Sequence, residues 1–163
     1  MPRDVYAILA NRNNRLMLKH VLKFSELINE GINDGLKLSE GKLQEMAGQK
    51  IIWYGMGASA LIGDYINSYL IGRGLFGSIK VMRTFSLIYD EDAIYVFYSY
   101  SGNTFETLHA FQEAMKRISP ERMLVFSTDG QIEKIAEKNN IRNVKLAKLM
   151  NLLIILEITR MSY

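Results

Sequence analysis

A three-layer, doubly wound α/β domain with a five-stranded parallel sheet, preceded by an N-terminal helix, is the fold the sequence predicts. Three observations predict it: short β-forming runs recur between helix-like segments, those runs lack polar–apolar alternation, and small-residue loops follow them. Strands that alternate with helices imply crossover connections, and strands apolar on both sides imply a sheet covered on both faces.

From Arg15 to Ile32, the apolar residues Leu16, Leu18, Val21, Leu22, Phe24, Leu27 and Ile28 recur at helical spacing among Lys, Glu and Asn, which predicts an amphipathic helix. Gly31, Gly35 and Gly41 then punctuate the chain, and Lys42 to Ala47 read as a short helix stopped at Gly48. Ile51 to Tyr54 is a β-forming run halted at Gly55 and followed by a helical segment from Ser59 to Ile71. Further strands are expected at Ile79 to Met82, Ala93 to Tyr98, Met123 to Phe126 and Asn143 to Leu146. Helices are expected at Phe105 to Ile118 and Ile132 to Lys138. Thr84 to Asp92 is short for a parallel crossover, so a loop or single helical turn is expected there.

At 163 residues the chain suits a single domain, 1–163, divided into an N-terminal helical segment 1–48, an α/β core 50–146 and a C-terminal helix 147–161. Its apolar content of 48% separates it from disordered chains, and a net charge of only +3 gives no footprint for nucleic acid. The absence of Cys removes disulfides and thiolate metal sites, and the start Met-Pro-Arg-Asp does not open a signal peptide, so a cytoplasmic protein is expected. The apolar run Leu152 to Leu156 is far shorter than the roughly 20 residues of a membrane span, which leaves a packing or subunit-contact helix and no membrane partner.

In such a sheet, ligands sit beyond the carboxyl ends of the strands where the winding reverses, between the first and third strands of the order 2-1-3-4-5. Two loops meet there, Gly55-Met56-Gly57-Ala58-Ser59 and Ser99-Tyr100-Ser101-Gly102-Asn103-Thr104. The second carries three hydroxyls, a glycine for close backbone approach and a helix start immediately after it. Hydroxyl donors and the unpaired N–H groups at a helix start favour an anion, in particular a phosphate. The plainer reading is that these residues cap the helix and turn the chain. Ser59, a fourth hydroxyl at a second helix start, favours the anion site.

Gly55-Met56-Gly57-Ala58-Ser59-Ala60 also fits the dinucleotide-binding fingerprint, with Arg83 placed for a 2′-phosphate, so an NADP-dependent oxidoreductase is the rival. That rival lacks an acidic residue after the second strand and leaves the hydroxyl-rich loop unused.

Tyr98-Ser99-Tyr100-Ser101-Gly102-Asn103-Thr104-Phe105-Glu106-Thr107 resembles the signature of the sugar isomerase (SIS) domain, in the form found in bifunctional phosphoglucose/phosphomannose isomerases. Gly55 to Ser59 resembles that family's first glycine loop, and Ser127-Thr128-Asp129-Gly130 with Ile132 to Asn140 its later strand-loop-helix. The resemblance implies a flavodoxin-like sheet and a phosphorylated sugar as ligand. It makes Ser59, Ser99, Ser101 and Thr104 the phosphate ligands, with Gly55, Gly57, Gly102 and Asn103 shaping the loop backbones. It implies no cofactor, and related proteins place ligand sites near subunit contacts, so a homodimer or larger homo-oligomer is expected.

The sequence also departs from that family. Where the isomerases have a Gly-rich turn with an Arg that stabilises the intermediate, this chain reads Ala147-Lys148-Leu149-Met150-Asn151-Leu152, and the family's base and ring-opening His belong to a second domain. Glu106 and His109 are the in-chain catalytic candidates. Glu106 suits a helix start electrostatically, and His109, a turn further on, is expected to face solvent. His20 belongs to the N-terminal helix, and two separated His with no carboxylate cluster give no metal site. An isomerase acting within an assembly and a non-catalytic phosphosugar sensor or interaction module both remain open.

Overall fold

The computed structural model describes residues 48–74 and 79–146, together with Ser25, Glu26, Asn29 and Asn33. Ser25, Glu26 and Asn29 are helical; the rest of the expected N-terminal helix, the segment Lys42 to Ala47 and the C-terminal segment 147–161 lie outside the described residues.

The described chain runs β1 (Lys50–Tyr54), α1 (Ala58–Gly72), β2 (Ile79–Met82), β3 (Ala93–Tyr98), α2 (Phe105–Ala114), a 3₁₀ turn (Pro120–Arg122), β4 (Met123–Ser127), α3 (Gln131–Lys138) and β5 (Arg142–Lys145). The five strands are parallel in the order β2-β1-β3-β4-β5, so the winding reverses between β1 and β3 as the loop argument requires. All six residues of β3, the central strand, are buried, the pattern of a strand covered on both faces.

Alternation along the strands sends side chains to two cores. Ile52, Tyr54, Tyr95, Phe97 and Val125 face Ala110, Phe111 and Ala114 of α2 and Ile132 and Ala136 of α3. Trp53, Val96, Tyr98 and Phe126 face the opposite way, with Ile66 and Leu70 of α1. The rings of Trp53, Tyr98 and Phe126 stack across three neighbouring strands at centroid spacings of 5.4 and 5.8 Å. α1 approaches β1 so closely that a Cβ on Gly63 would lie 2.8 Å from the Trp53 indole.

The connection from Met82 to Ala93 is a loop without helix, as its length implied. Two strand tyrosines take over the anchoring that a crossover helix would provide. Tyr54 donates its hydroxyl to the Ser86 carbonyl (3.3 Å) and accepts the Ile88 N–H (2.7 Å). Tyr95 does the same with the Ile88 carbonyl (3.1 Å) and the Asp90 N–H (2.7 Å). Burial raises the pKa of both phenols.

β1, α1, β4 and α3 each run one residue longer than expected at one end or both, and two further boundaries shift in a different way. α2 ends at Ala114 instead of Ile118: the amides of Lys116 and Arg117 bond carbonyls three residues back, tightening the chain into turns before Pro120. β5 begins and ends one residue early, pairing Arg142 to Lys145 with Leu124 to Ser127.

Candidate phosphate site at the sheet switch point

Register pairing of Tyr54 with Phe97 brings the ends of β1 and β3 side by side, so the loops carrying Ser59 and Ser99 to Thr104 leave neighbouring strand ends. Within the second loop the hydroxyls are ordered by their own bonds. Buried Ser99 donates to Thr104 Oγ1 at 3.2 Å, which leaves the Thr104 hydroxyl hydrogen free to point outward. Ser101 Oγ accepts the Asn103 N–H at 3.3 Å, which frees its hydrogen in the same way.

Thr104 is the N-cap of α2, yet its side chain makes no capping hydrogen bond. The first N–H groups of a helix have no intrahelical acceptor, and among the described residues none bonds those of Phe105, Glu106 or Thr107. The start of α2 therefore presents open amides and the positive end of a helix beside three hydroxyls. Ser59 stands on the adjacent strand's loop, half-buried in the first turn of α1. Its carbonyl accepts the Trp53 indole N–H at 2.9 Å, and no hydrogen bond joins it to the other three serine and threonine hydroxyls. Gly57, the N-cap of α1, has a φ of 53°, a left-handed value that favours glycine.

The loop after β4 completes the frame, and sequence spacing alone did not place it here. Thr128 N–H and hydroxyl both donate to the Tyr100 carbonyl, at 3.1 and 2.6 Å. Ile132 N–H donates to the Gly102 carbonyl at 3.0 Å, and Gly130 passes against Ser101 and Gly102. The Asp129-Gly130 pair is the one signal of this turn in the sequence.

Of the catalytic candidates, Glu106 lies in the first turn of α2. His109 does not simply face solvent: it is half-buried, with ring contacts to Phe85 and Phe105 at 5.8 and 5.9 Å and its Nδ1 3.3 Å from the Phe85 carbonyl. A carbonyl only accepts, so Nδ1 is the donor in this contact. Arg83, the residue the dinucleotide reading needed, is paired with Asp64 of α1.

A groove of about 1330 Å³ opens at the other, amino-terminal ends of the strands, lined by Glu91, Asp92, Glu121 and Glu137 with Arg122 and Arg142. Its excess of carboxylates opposes a phosphate. Among the described residues no group of three His, Asp or Glu could hold a metal ion, and no helix is long and apolar enough to cross a membrane.

A parallel sheet ordered 2-1-3-4-5, with a serine-rich loop and helix start at its switch point, is a doubly wound, flavodoxin-like domain with its candidate site where such sheets bind ligands. The chain is 34% identical over 91 residues to the bifunctional phosphoglucose/phosphomannose isomerase of Aquifex aeolicus, covering 54% of this chain and 28% of that protein. It is 28% identical to the enzyme of the same name from Caldicellulosiruptor bescii, over 76% of this chain and 36% of that one. The chain thus spans roughly a third of the length of these curated relatives. No family model matches it.

Solved structures share the fold at lower identity. A Methanococcus jannaschii protein, inferred to be a 3-hexulose-6-phosphate isomerase, superposes with a TM-score of 0.59 at 18% identity, covering 86% of this chain and 87% of that one. The Vibrio vulnificus NanR protein complexed with ManNAc-6P gives 0.60 at 19%, over 85% and 61%. The sugar isomerase domain of an RpiR transcription factor from Sphaerobacter thermophilus gives 0.58 at 15%, over 87% and 86%. Together the curated relatives and the shared fold support assignment of the chain to the SIS family.

Proposed function

We propose that the chain binds a phosphorylated sugar, with the phosphate held at the start of α2 by Ser101 and Thr104 and by Ser59 from the neighbouring loop, while buried Ser99, whose one hydroxyl hydrogen is given to Thr104, supports that residue from behind. The observation that carries this reading is the uncapped start of α2 beside a Thr104 hydroxyl already satisfied by Ser99. Threonine at an N-cap ordinarily closes the helix, and here it leaves the amides to a ligand. The chemistry of the relatives supports the same class: two are phosphohexose isomerases and one neighbour is complexed with ManNAc-6P.

The finer reading is a phosphoglucose/phosphomannose-type SIS domain that takes part in aldose–ketose isomerisation within an assembly. A purely sensing role is the second reading, favoured by the fold shared with an RpiR transcription factor and by the engagement of His109 with Phe85. Assembly as a homodimer or larger belongs to the proposal, supported by the exposed Leu61, Tyr65 and Ile71 on α1.

Calorimetry with fructose 6-phosphate, glucose 6-phosphate, mannose 6-phosphate, free fructose and NADP tests the central claim. Phosphosugars should bind and free fructose should not; equal affinity for fructose and its 6-phosphate refutes the phosphate site, and preferential NADP binding restores the oxidoreductase.

A further inference from the structure

We infer that Asn103 is a positioning residue that holds the phosphate loop in its binding shape through the first turn of α3, an inference that rests on the phosphate reading above. Both ends of its carboxamide are committed. Nδ2 donates to the Ser101 carbonyl at 3.1 Å, and Oδ1 accepts the Gln131 N–H at 3.0 Å.

Gln131 is the first residue of α3, so Oδ1 satisfies one of the amides that a helix start leaves open. The neighbouring amides are taken as well, Gly130 N–H by Asp129 Oδ1 at 2.6 Å and Ile132 N–H by the Gly102 carbonyl at 3.0 Å. Two helix starts therefore flank one loop, and the loop closes α3 while α2 stays open. Asn103 makes that choice, because its side chain faces α3 and its own N–H fixes Ser101 Oγ. Ser101 is held at its carbonyl and at its hydroxyl by the same residue, with its hydroxyl hydrogen left for the ligand.

The role needs one donor and one acceptor in a plane, which an un-ionised carboxyl also supplies and an ionised carboxylate does not. In Asn103→Asp the affinity for fructose 6-phosphate, taken as a ratio to the native chain at each pH, should fall about tenfold or more at pH 5 and recover as the pH is lowered through about 3.9 toward 3.5. Over this range the ligand phosphate, with a second pKa of about 6, keeps its charge, and the ratio to the native chain removes the share of the neighbouring carboxylates of Asp129 and Glu106, which both chains carry. Asn103→Ala should show a loss that does not recover with acid.

A ligand-free measurement stands beside it: exchange of the Gln131 amide should quicken about tenfold in Asn103→Ala, with the fold retained by circular dichroism. Unchanged Gln131 exchange overturns the clamp whether or not any sugar phosphate binds. Native binding combined with a pH-independent ratio for Asn103→Asp overturns its effect on the ligand. Failure of the native chain to bind fructose 6-phosphate counts against the phosphate reading, and the exchange result then decides the clamp alone.

Discussion

Gly102 and Asp129 belong to loops 27 positions apart in the chain, yet a Cβ placed on Gly102 would overlap the Asp129 carbonyl oxygen. Gly102 also has a φ of 67°, so both its conformation and its surroundings exclude a side chain. Gly102→Ala should lose about 3 kcal/mol or more, the left-handed strain of roughly 1–2 kcal/mol together with displacement of the β4–α3 loop. Gly57→Ala, at a φ of 53° with open space around it, should lose only the strain. Urea unfolding of both variants checks the difference, and equal losses would mean the loop yields freely.

Removing one outward hydroxyl should weaken sugar-phosphate binding without unfolding the domain. Ser101→Ala or Thr104→Ala should each cost about 1.5–3 kcal/mol of binding, the range for a hydrogen bond to a charged group. Thr104→Ala also strips buried Ser99 of its acceptor, so it should lower thermal stability by about 1–3 kcal/mol, whereas exposed Ser101→Ala should leave stability nearly unchanged. Calorimetry and a thermal melt on each variant test both halves.

Alkaline pH should loosen the β2–β3 connection. Burial raises the pKa of Tyr54 and Tyr95, so the neutral phenols favour the folded state. Their contribution is fully present below the ordinary tyrosine value and is lost as pH rises through the raised folded values. Tyr54→Phe and Tyr95→Phe should each be less stable at neutral pH, by about 0.5–1.5 kcal/mol per lost hydrogen bond, and should show a flatter alkaline limb. Stability measured from pH 7 to 11 checks this; parallel curves for native and variant chains would assign the alkaline loss elsewhere.

Binding and turnover should separate. A positioned acid or base typically contributes about 10²–10⁴-fold to rate. Of the two candidates, Glu106 occupies a helix first turn and His109 is engaged by Phe85. The chain alone should therefore convert fructose 6-phosphate to glucose 6-phosphate feebly in a coupled assay. Brisk turnover abolished by Glu106→Gln or His109→Ala would instead make that residue the base.

The strands were legible because each is a short apolar run bounded by turn residues; Ile79 to Met82 and Ala93 to Tyr98 match residue for residue. The end of α2 was not, because Met115 to Ile118 continue an apolar rhythm that the approach to Pro120 overrides. The hydroxyls were legible for a different reason: Ser99, Ser101 and Thr104 are adjacent in sequence and need no long-range pairing to meet. Contacts between distant loops leave no such trace. Asn103 to Gln131 spans 28 positions and His109 to Phe85 spans 24, and nothing in the composition of either segment announces its partner.

Trp53 is the only tryptophan of the chain, and its indole N–H is bound to the carbonyl of Ser59. The protein thereby carries a built-in optical gauge at the first loop of the proposed site. A ligand that draws on the Ser59 hydroxyl must disturb the residue whose carbonyl holds the indole, so occupancy should register as a change in emission wavelength or intensity, with no label attached. Fluorescence can then follow how fast a phosphosugar arrives and leaves, on a timescale calorimetry does not reach.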